Sequence, residues 1–453
     1  MSGIVVVGLT SLALAAALQA APPPADPASD LIREARKLLR EDLFEDALAS
    51  AESAVARRPD SAAAHVVMAD ALYRRGDFDR AEERYRKAVE LDPNSAAGHF
   101  GIGRILRTLG RYGEAAESYS RAAALAPEVP RHLRQLANHL ARRQDVVTML
   151  RRYIEIARAP LNPDDAEDEA AVRNVEAYLA LLQQVGDAPL SEMVRAEPCV
   201  VRLDVIRHQA FLKLRVGSIA NQRFVFDSGA TGVTISARLA ARAKLSAIKP
   251  FTITASPAAR LETGALVLIP ELALGDAIVV RNVPATIRDP AGPEEGLIGP
   301  SLVSALDITI DLKKGALRLD TPAEGTREGT TLPFRIVGGQ IVAQALVNDI
   351  PLSAMIDTGS VSTIISRSAV SRAPGLVADR RAVIAGRLAL GPGRWPADGL
   401  ATSDLTRFSR ALESEIYVLM GAPHLDDWIV TISYRRMTLR FTPHGGVKGA
   451  QGR

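Results

Sequence analysis

Two aspartates in this 453-residue chain stand in matching surroundings. Phe224-Val225-Phe226-Asp227-Ser228-Gly229-Ala230 is echoed 130 residues later by Ala354-Met355-Ile356-Asp357-Thr358-Gly359-Ser360, and the match runs on to Ile235-Ser236 and Ile365-Ser366. A second pair of motifs keeps a different offset, 122: Gly296-Leu297-Ile298-Gly299 with Val418-Leu419-Met420-Gly421, and Ile308-Thr309-Ile310 with Val430-Thr431-Ile432. Two carboxyl groups brought together supply a base that takes a proton from water and an acid that polarises a carbonyl. Like charges held that close do not both ionise cheaply, so the dyad shares one proton and titrates as a unit. Each copy provides one aspartate, and the chemistry exists only where the copies meet.

The motifs sit at the ends of strand-like runs. After Glu197 helical spacing gives way to short apolar runs at 200–206, 211–216 and 223–226, separated by turn residues; 236–244 is one of the few helical stretches. Upstream, a period of 34 residues relates Pro59, Pro93 and Pro127; Ala47, Ala81 and Ala115; Ala54, Ala88 and Ala122; Tyr85 and Tyr119; and Gly76 and Gly110. This is a helix-turn-helix unit: alanines permit close crossing, the glycines allow the tight turn, and each proline punctuates the second helix. The first repeat is degraded, with Ala51 in the tyrosine column and Asp42 in the glycine column. A weaker fourth unit spans 130–160, and 166–184 reads as a helix capping the stack.

Over residues 28–128 the unit resembles the tetratricopeptide repeat. Over 196–443 the paired motifs resemble the two lobes of an aspartic protease, the short lobes being similar to bacterial retropepsin-like domains fused in one chain as in pepsin-like enzymes. The fold class these resemblances imply is multidomain, α then β: an α-helical repeat solenoid followed by a two-lobed all-β aspartic protease fold. They imply a helical domain at 31–190, lobe 1 at 196–320, a link at 321–330 and lobe 2 at 331–445. They also imply an aspartic endopeptidase in which Asp227 and Asp357 activate water. Ser228, Gly229, Ala230, Thr358, Gly359 and Ser360 would support the catalytic loops, with the Ser228 and Thr358 hydroxyls bonding across to the opposite lobe. Leu297, Ile298, Gly299, Leu419, Met420 and Gly421 would pack beneath them. No cofactor is implied; the partners are a peptide or protein substrate and a protein held by the repeat surface. An alternative keeps the protease fold as a scaffold, with the repeats as the working part. Lobes pairing between chains is a third arrangement; the link of about ten residues favours pairing within one chain.

Two departures from the family pattern carry expectations. Ala230 stands where lobe 2 has Ser360, so a hydroxyl able to stabilise the ionised aspartate is missing, and a less acidic optimum is expected. Residues 251–277 fit a hairpin flap with no lobe 2 equivalent, and its candidate tip, 255–264, lacks the aromatic that pepsin-like flaps place over substrate.

Composition closes other routes. With 55 basic and 52 acidic residues the net charge is +3, too little bias for a nucleic acid partner. A single cysteine, Cys199, excludes an intrachain disulfide framework or cysteine-ligated metal, and it is expected to be a small buried apolar residue. Seven histidines show no metal-ligand spacing, and no metal is expected. The Ser nucleophile patterns fail: no glycine precedes Asp227-Ser228-Gly229, and Gly299-Pro300-Ser301 is followed by Leu302-Val303. His424, beside Asp426 and Asp427, is expected on a solvated turn, and Trp395 and Trp428 in packing. Residues 4–20 are an uncharged apolar run before Pro22-Pro23-Pro24. They read as part of a signal peptide at 1–21, or a membrane anchor if uncleaved, with a Pro/Ala-rich linker at 22–30 and an exported, periplasmic or secreted location.

Overall fold

The structure is a computed structural model that describes residues 27–140, 142–158, 166–255, 260–289, 292, 294–322 and 328–444. The apolar run at 4–20, the middle of the expected flap tip (256–259) and part of the link (323–327) lie outside the described residues.

Nine helices are described in the first half: α1 (Pro27–Arg40), α2 (Phe44–Arg57), α3 (Ala62–Arg74), α4 (Phe78–Leu91), α5 (Ala96–Thr108), α6 (Tyr112–Leu125), α7 (Pro130–Ala137), α8 (Arg143–Arg158) and α9 (Ala166–Val185). The first starts inside the stretch that composition marks as linker; proline has no N–H to lose in a first turn. Ser61 and Ser95 cap α3 and α5, their hydroxyls accepting from the backbone N–H of Ala64 and Gly98. Gly76 and Gly110 turn the chain at φ +80° and +72°, and Asp42 in the degraded repeat takes the same left-handed conformation at φ 58°. The column residues Ala47, Ala81, Ala115, Tyr85 and Tyr119 are fully buried. A Cβ on Gly101 would overlap the Tyr85 ring, and one on Gly103 would lie 2.7 Å from the Tyr119 ring. Each tyrosine therefore seats against a bare patch of α5.

The β half begins one strand earlier than the change at Glu197, with Glu192–Ala196 paired to Ile278–Ile287. The run at 200–206 is two strands. Cys199–Arg202 pairs with Ala316–Asp320, while Asp204–Ile206 pairs with Gln209–Val216, the chain changing sheets at buried Leu203. Cys199 is only half-buried, because its strand ends that sheet's path with a partner on one side.

The two lobes repeat one register. In lobe 1 Phe224 pairs with Gly296 in parallel and Val233 with Ile298 in antiparallel fashion; in lobe 2 Ala354 pairs with Val418 and Ile364 with Leu419 in the same senses. A shared sheet joins the lobes, three strands from each, in the order Cys199–Arg202, Ala316–Asp320, Asp307–Asp311, Trp428–Ser433, Thr438–Pro443 and Thr330–Val337. At its middle Thr309 faces Thr431 with hydroxyls 2.9 Å apart, the motif offset of 122 seen as a pseudo-twofold axis. One apolar cluster runs from Leu203 to Phe441 through both lobes. The lobes thus pair within one chain.

Where the copies differ, they differ in two places. Thr234 pairs with Thr286 and its counterpart Ile364 with Ala401, which stand 115 apart rather than 130, so lobe 2 is fifteen residues shorter through that region. Lobe 1 builds there the hairpin Lys249–Ala255 and Arg260–Leu274, whereas lobe 2 has two short pairs, Val377–Ala378 with Val383–Ala385 and Arg387–Leu390 with Gly393–Pro396. Lobe 2 regains seven residues before Val418, in the segment that forms the helix Thr406–Ala411.

Both differences face the helices. Leu405, Phe408, Leu412 and Ile416 pack with Val67, Met68, Ala71 and Leu72 of α3 in one buried cluster. Polar bonds surround it: Glu415 N–H donates to Arg74 O at 2.6 Å and Ser414 Oγ to Tyr73 O at 3.2 Å. At the other end α9 lies on the lobe 1 hairpin, with Ala177 and Leu181 buried against Leu266. The Asn174 amide donates to Thr252 O at 2.8 Å and accepts from Thr252 N–H at 2.7 Å. The helix expected only to cap the stack therefore bridges it to the β half, and lobe 2 covers one face of α3.

Gly76 shows how tight the docking is, since a Cβ there would overlap Ser353 Oγ of lobe 2. Gly76→Ala is expected to lower unfolding stability by more than about 2 kcal/mol, combining left-handed strain with the clash. Adding Ser353→Ala should recover the steric part and leave about 1–2 kcal/mol from φ alone. Equal losses in the single and double variants, measured by urea unfolding, would show that the two surfaces are not in contact.

Candidate active site

Asp357 closes the strand Ile350–Asp357, and Asp227 follows directly on Ile219–Phe226. Phe224, Val225 and Phe226, and Ala354, Met355 and Ile356, are all buried, so each strand is pinned on both faces up to the residue before the aspartate. A tight loop follows in each lobe: Ala230 N–H donates to Asp227 O at 3.0 Å and Ser360 N–H to Asp357 O at 3.3 Å.

The structure brings the two aspartates together across the pseudo-twofold axis. A Cβ on Gly229 would lie 2.7 Å from Asp357 Cγ, and one on Gly359 would overlap the Asp227 carboxylate. The glycines are required by the opposite lobe's carboxyl group rather than by their own turns. Beneath them Ser228 and Thr358 grip each other. Ser228 N–H donates to Thr358 Oγ1 at 3.0 Å, Thr358 N–H donates to Ser228 Oγ at 2.8 Å, and Ser228 Oγ donates to Ile356 O at 2.8 Å. Both side chains are 2% exposed, so these bonds are made out of water and fix the loops firmly.

The second motifs sit where the sequence places them. Ile298, Leu419 and Met420 are buried and Leu297 half-buried, on strands paired directly to the aspartate strands. Asp227 N–H donates to Ile298 O at 3.0 Å. A Cβ on Gly299 would overlap Ala230 O, and one on Gly421 would overlap Ser362 O, so the loops close over bare backbone.

Three expectations change here. Ser360 Oγ donates to Ser362 O at 2.8 Å, and it is the Ser360 backbone N–H that reaches Asp357 Oδ1, at 3.0 Å. The local turn captures the hydroxyl, so Ala230 in lobe 1 deprives the dyad of nothing. His424 is not on a solvated turn. It lies half-buried in the short helix Ala422–Leu425, with Nδ1 3.0 Å from Thr363 Oγ1 and its ring edge-on to Trp395 at 5.0 Å, and burial lowers its pKa. Thr363 Oγ1 in turn accepts from Gly421 N–H at 2.9 Å, which makes His424 a brace for the support strand. Cys199 is the third, half-buried as described above. Trp395 and Trp428 pack at the edge of the core, as expected.

Sequence reasoning also passed over two glutamines. Gln209 Nε2 donates to Gly359 O at 2.9 Å and Gln340 Nε2 to Gly229 O at 2.8 Å. Their separation, 131 residues, misses the motif offset by one, the signal that would have found them.

Burial raises the pKa of both aspartates. Asp357 is pushed well above the usual carboxylate range by burial, then by the negative charge of Asp227, against bonds from the Ser360 and Gly359 N–H groups. Asp227 rises less, because a bond from Asp357 and backbone N–H donors at Gly229 and Gly359 offset its burial. The two carboxyls therefore share one proton and titrate as a pair. No cluster of three or more His, Cys, Asp or Glu among the described residues is placed to hold a metal ion.

Family models match the chain in two regions: tetratricopeptide repeat at residues 32–96 and 66–130, and aspartyl protease at residues 212–302. The chain carries tetratricopeptide repeats and an aspartyl protease domain. The protease match includes Asp227, Ser228, Gly229 and Gly299. Among solved structures the chain is similar to MamA at 18% identity, covering 29% of this chain and 78% of that one with a TM-score of 0.26. It is also similar to pilF of Pseudomonas aeruginosa at 21% identity, covering 35% and 69% with a TM-score of 0.30. No curated protein matches.

The raised pKa of Asp357 makes a stability prediction. A carboxyl with a folded pKa above its unfolded value stabilises the fold below about pH 3.9 and loses that contribution as pH rises through the folded pKa. Asp357→Asn, which cannot ionise, is therefore expected to melt at a higher temperature than wild type at pH 7, the gap closing near pH 4. A variant that melts lower than wild type at pH 7 would mean that the carboxyl is not held against charge.

Proposed function

We propose that this protein is an aspartic endopeptidase. Water held between the carboxyls loses a proton to Asp227 as it attacks the peptide carbonyl, while Asp357 donates its proton to that oxygen. The resulting tetrahedral species collapses with proton transfer to the leaving amine, and the C–N bond breaks. The observation that carries the reading is the reciprocal fit of each glycine to the opposite aspartate, which has no purpose in a fold that does not bring two carboxyls together.

Tetratricopeptide repeats generally mediate protein–protein contacts, and we assign that role here to recruitment of a protein partner or substrate. With one face of α3 covered, the faces left for it are those of the outer helices such as α6 and α8. The apolar run at 4–20 supports an exported location, periplasmic or secreted, for the whole chain.

The test is cleavage of an unfolded polypeptide followed by mass spectrometry across about pH 3 to 8, the range open to a shared-proton dyad. Wild type should cut, and Asp227→Asn and Asp357→Asn should each abolish cutting. Cleavage that survives either substitution would refute a composite site. A folded wild type that cuts at no pH would leave the scaffold reading, in which the repeats are the working part.

A further inference from the structure

The two glutamines at the site obey the symmetry of the lobes without belonging to any motif. Gln209 opens the strand Gln209–Val216 and pairs back to Ile206 across a two-residue turn; Gln340 opens Gln340–Val347 and pairs back to Val337 across another. All four turn residues are left-handed, Arg207 and His208 at φ 49° and 67° and Gly338 and Gly339 at φ 57° and 86°. Such turns match the twist of the strands they join, and each delivers its glutamine at the same place on its lobe. In lobe 1 no glycine relieves the strain of the turn. From there each amide crosses the lobe boundary, Gln209 to Gly359 O and Gln340 to Gly229 O. Gln340 is 6% exposed. A flipped amide would set two oxygen acceptors against each other, so the donor must face the glycine carbonyl.

The bonded carbonyls are one residue removed from the Ser228–Thr358 grip. Gly229 N–H donates to Asp227 Oδ1 at 2.7 Å, and Gly359 N–H to Asp357 Oδ1 at 3.0 Å. Each glycine is therefore held at its carbonyl by the opposite lobe while its N–H orients the adjacent carboxyl. We propose that Gln209 and Gln340 are reciprocal positioning residues, each fixing the opposite lobe's catalytic loop through its glycine carbonyl and so setting the alignment of the dyad. For its kinetic arm the proposal rests on the endopeptidase reading; its exchange arm does not.

The first arm is hydrogen exchange measured by mass spectrometry on the full chain. Gln340→Ala should speed exchange in residues 227–232 of lobe 1 and leave 357–362 as in wild type; Gln209→Ala should do the reverse. Loosening confined to the glutamine's own lobe, or none in the opposite loop, overturns the proposal. The second arm is kinetic. Gln340→Ala should lower kcat between about tenfold and a hundredfold with little change in KM, as expected when reacting groups are misaligned. Gln340→Glu keeps the shape and can donate only when protonated. Its activity should approach wild type toward the ordinary glutamate pKa of about 4.3 and fall to the alanine level as pH rises, wild type serving as the reference at every pH. A Gln340→Glu variant whose ratio to wild type does not change with pH overturns the proposal. If wild type cuts nothing but the crossed exchange pattern is found, the endopeptidase reading fails and the clamps stand.

Discussion

Two carboxyl groups buried against one another are costly to keep out of water, and most of the β half is arranged to hold them there. Desolvation acts at the point where the chain has least covalent connection, since Asp227 and Asp357 belong to different lobes. The restraint comes in layers. At the dyad itself, absent side chains at Gly229 and Gly359 admit the opposite carboxylate. One residue away, Ser228 and Thr358 exchange backbone and hydroxyl bonds out of water. Farther off, the shared six-stranded sheet, centred on Thr309 and Thr431, makes separation of the lobes equivalent to tearing a ladder through a continuous core. Stacked along one axis, the layers leave the dyad no direction in which to relax.

Fusing the lobes in one chain frees each copy to diverge away from that axis, and it has done so on the side that meets the helices. Lobe 1 keeps a long hairpin there, whereas lobe 2 shortens the same region and lengthens the segment before Val418. Neither change touches the register of the motif strands, because both insertions lie between paired strands rather than within them. The added lobe 2 segment supplies the apolar side chains that α3 covers, and the lobe 1 hairpin supplies the edge that α9 covers. The asymmetric segments thus lie within the footprint of the helical domain, which also takes in Val342, Ser353 and Met355 of lobe 2.

How legible this was in sequence depended on whether a contact repeats. The aspartates, the grip residues and the support glycines stand out because duplication prints each twice at a fixed offset. The turn glycines stand out because the 34-residue period prints them at a fixed step. What reading missed was decided by reach or by competition. Gln209 and Gln340 act at the end of a flexible side chain launched by a turn, and one of those turns, Arg207-His208, has no turn-like composition. Ser360 has the right identity, but a nearer acceptor takes its hydroxyl. The apolar faces of α3 and α9 read as packing within the stack, since periodicity reports that a face is covered and not by what. Gly76 reads as a turn glycine, which it is, and nothing in its column shows that it also makes room for Ser353.

The contact between α9 and the lobe 1 hairpin shows why a repeat domain on this chain is more than an appendage. The strand Lys249–Ala255 lies at the edge of its sheet, where backbone groups are left to pair with whatever approaches. Asn174 satisfies both the N–H and the carbonyl of Thr252, and Ala177 and Leu181 close over Leu266 beside it. One side chain therefore blunts an exposed edge and ties the hairpin to the last helix of the array. The first repeats are fixed to lobe 2 in the same way, through Gly76, Tyr73 and Arg74. A stack of helices anchored at one end to lobe 2 and at the other to the lobe 1 hairpin sets the distance between them, and bending the stack changes it. Coupling of this kind is reciprocal: whatever alters the curvature of the stack biases the spacing of lobe 2 and the lobe 1 hairpin, and whatever alters that spacing biases the stack by the same free energy.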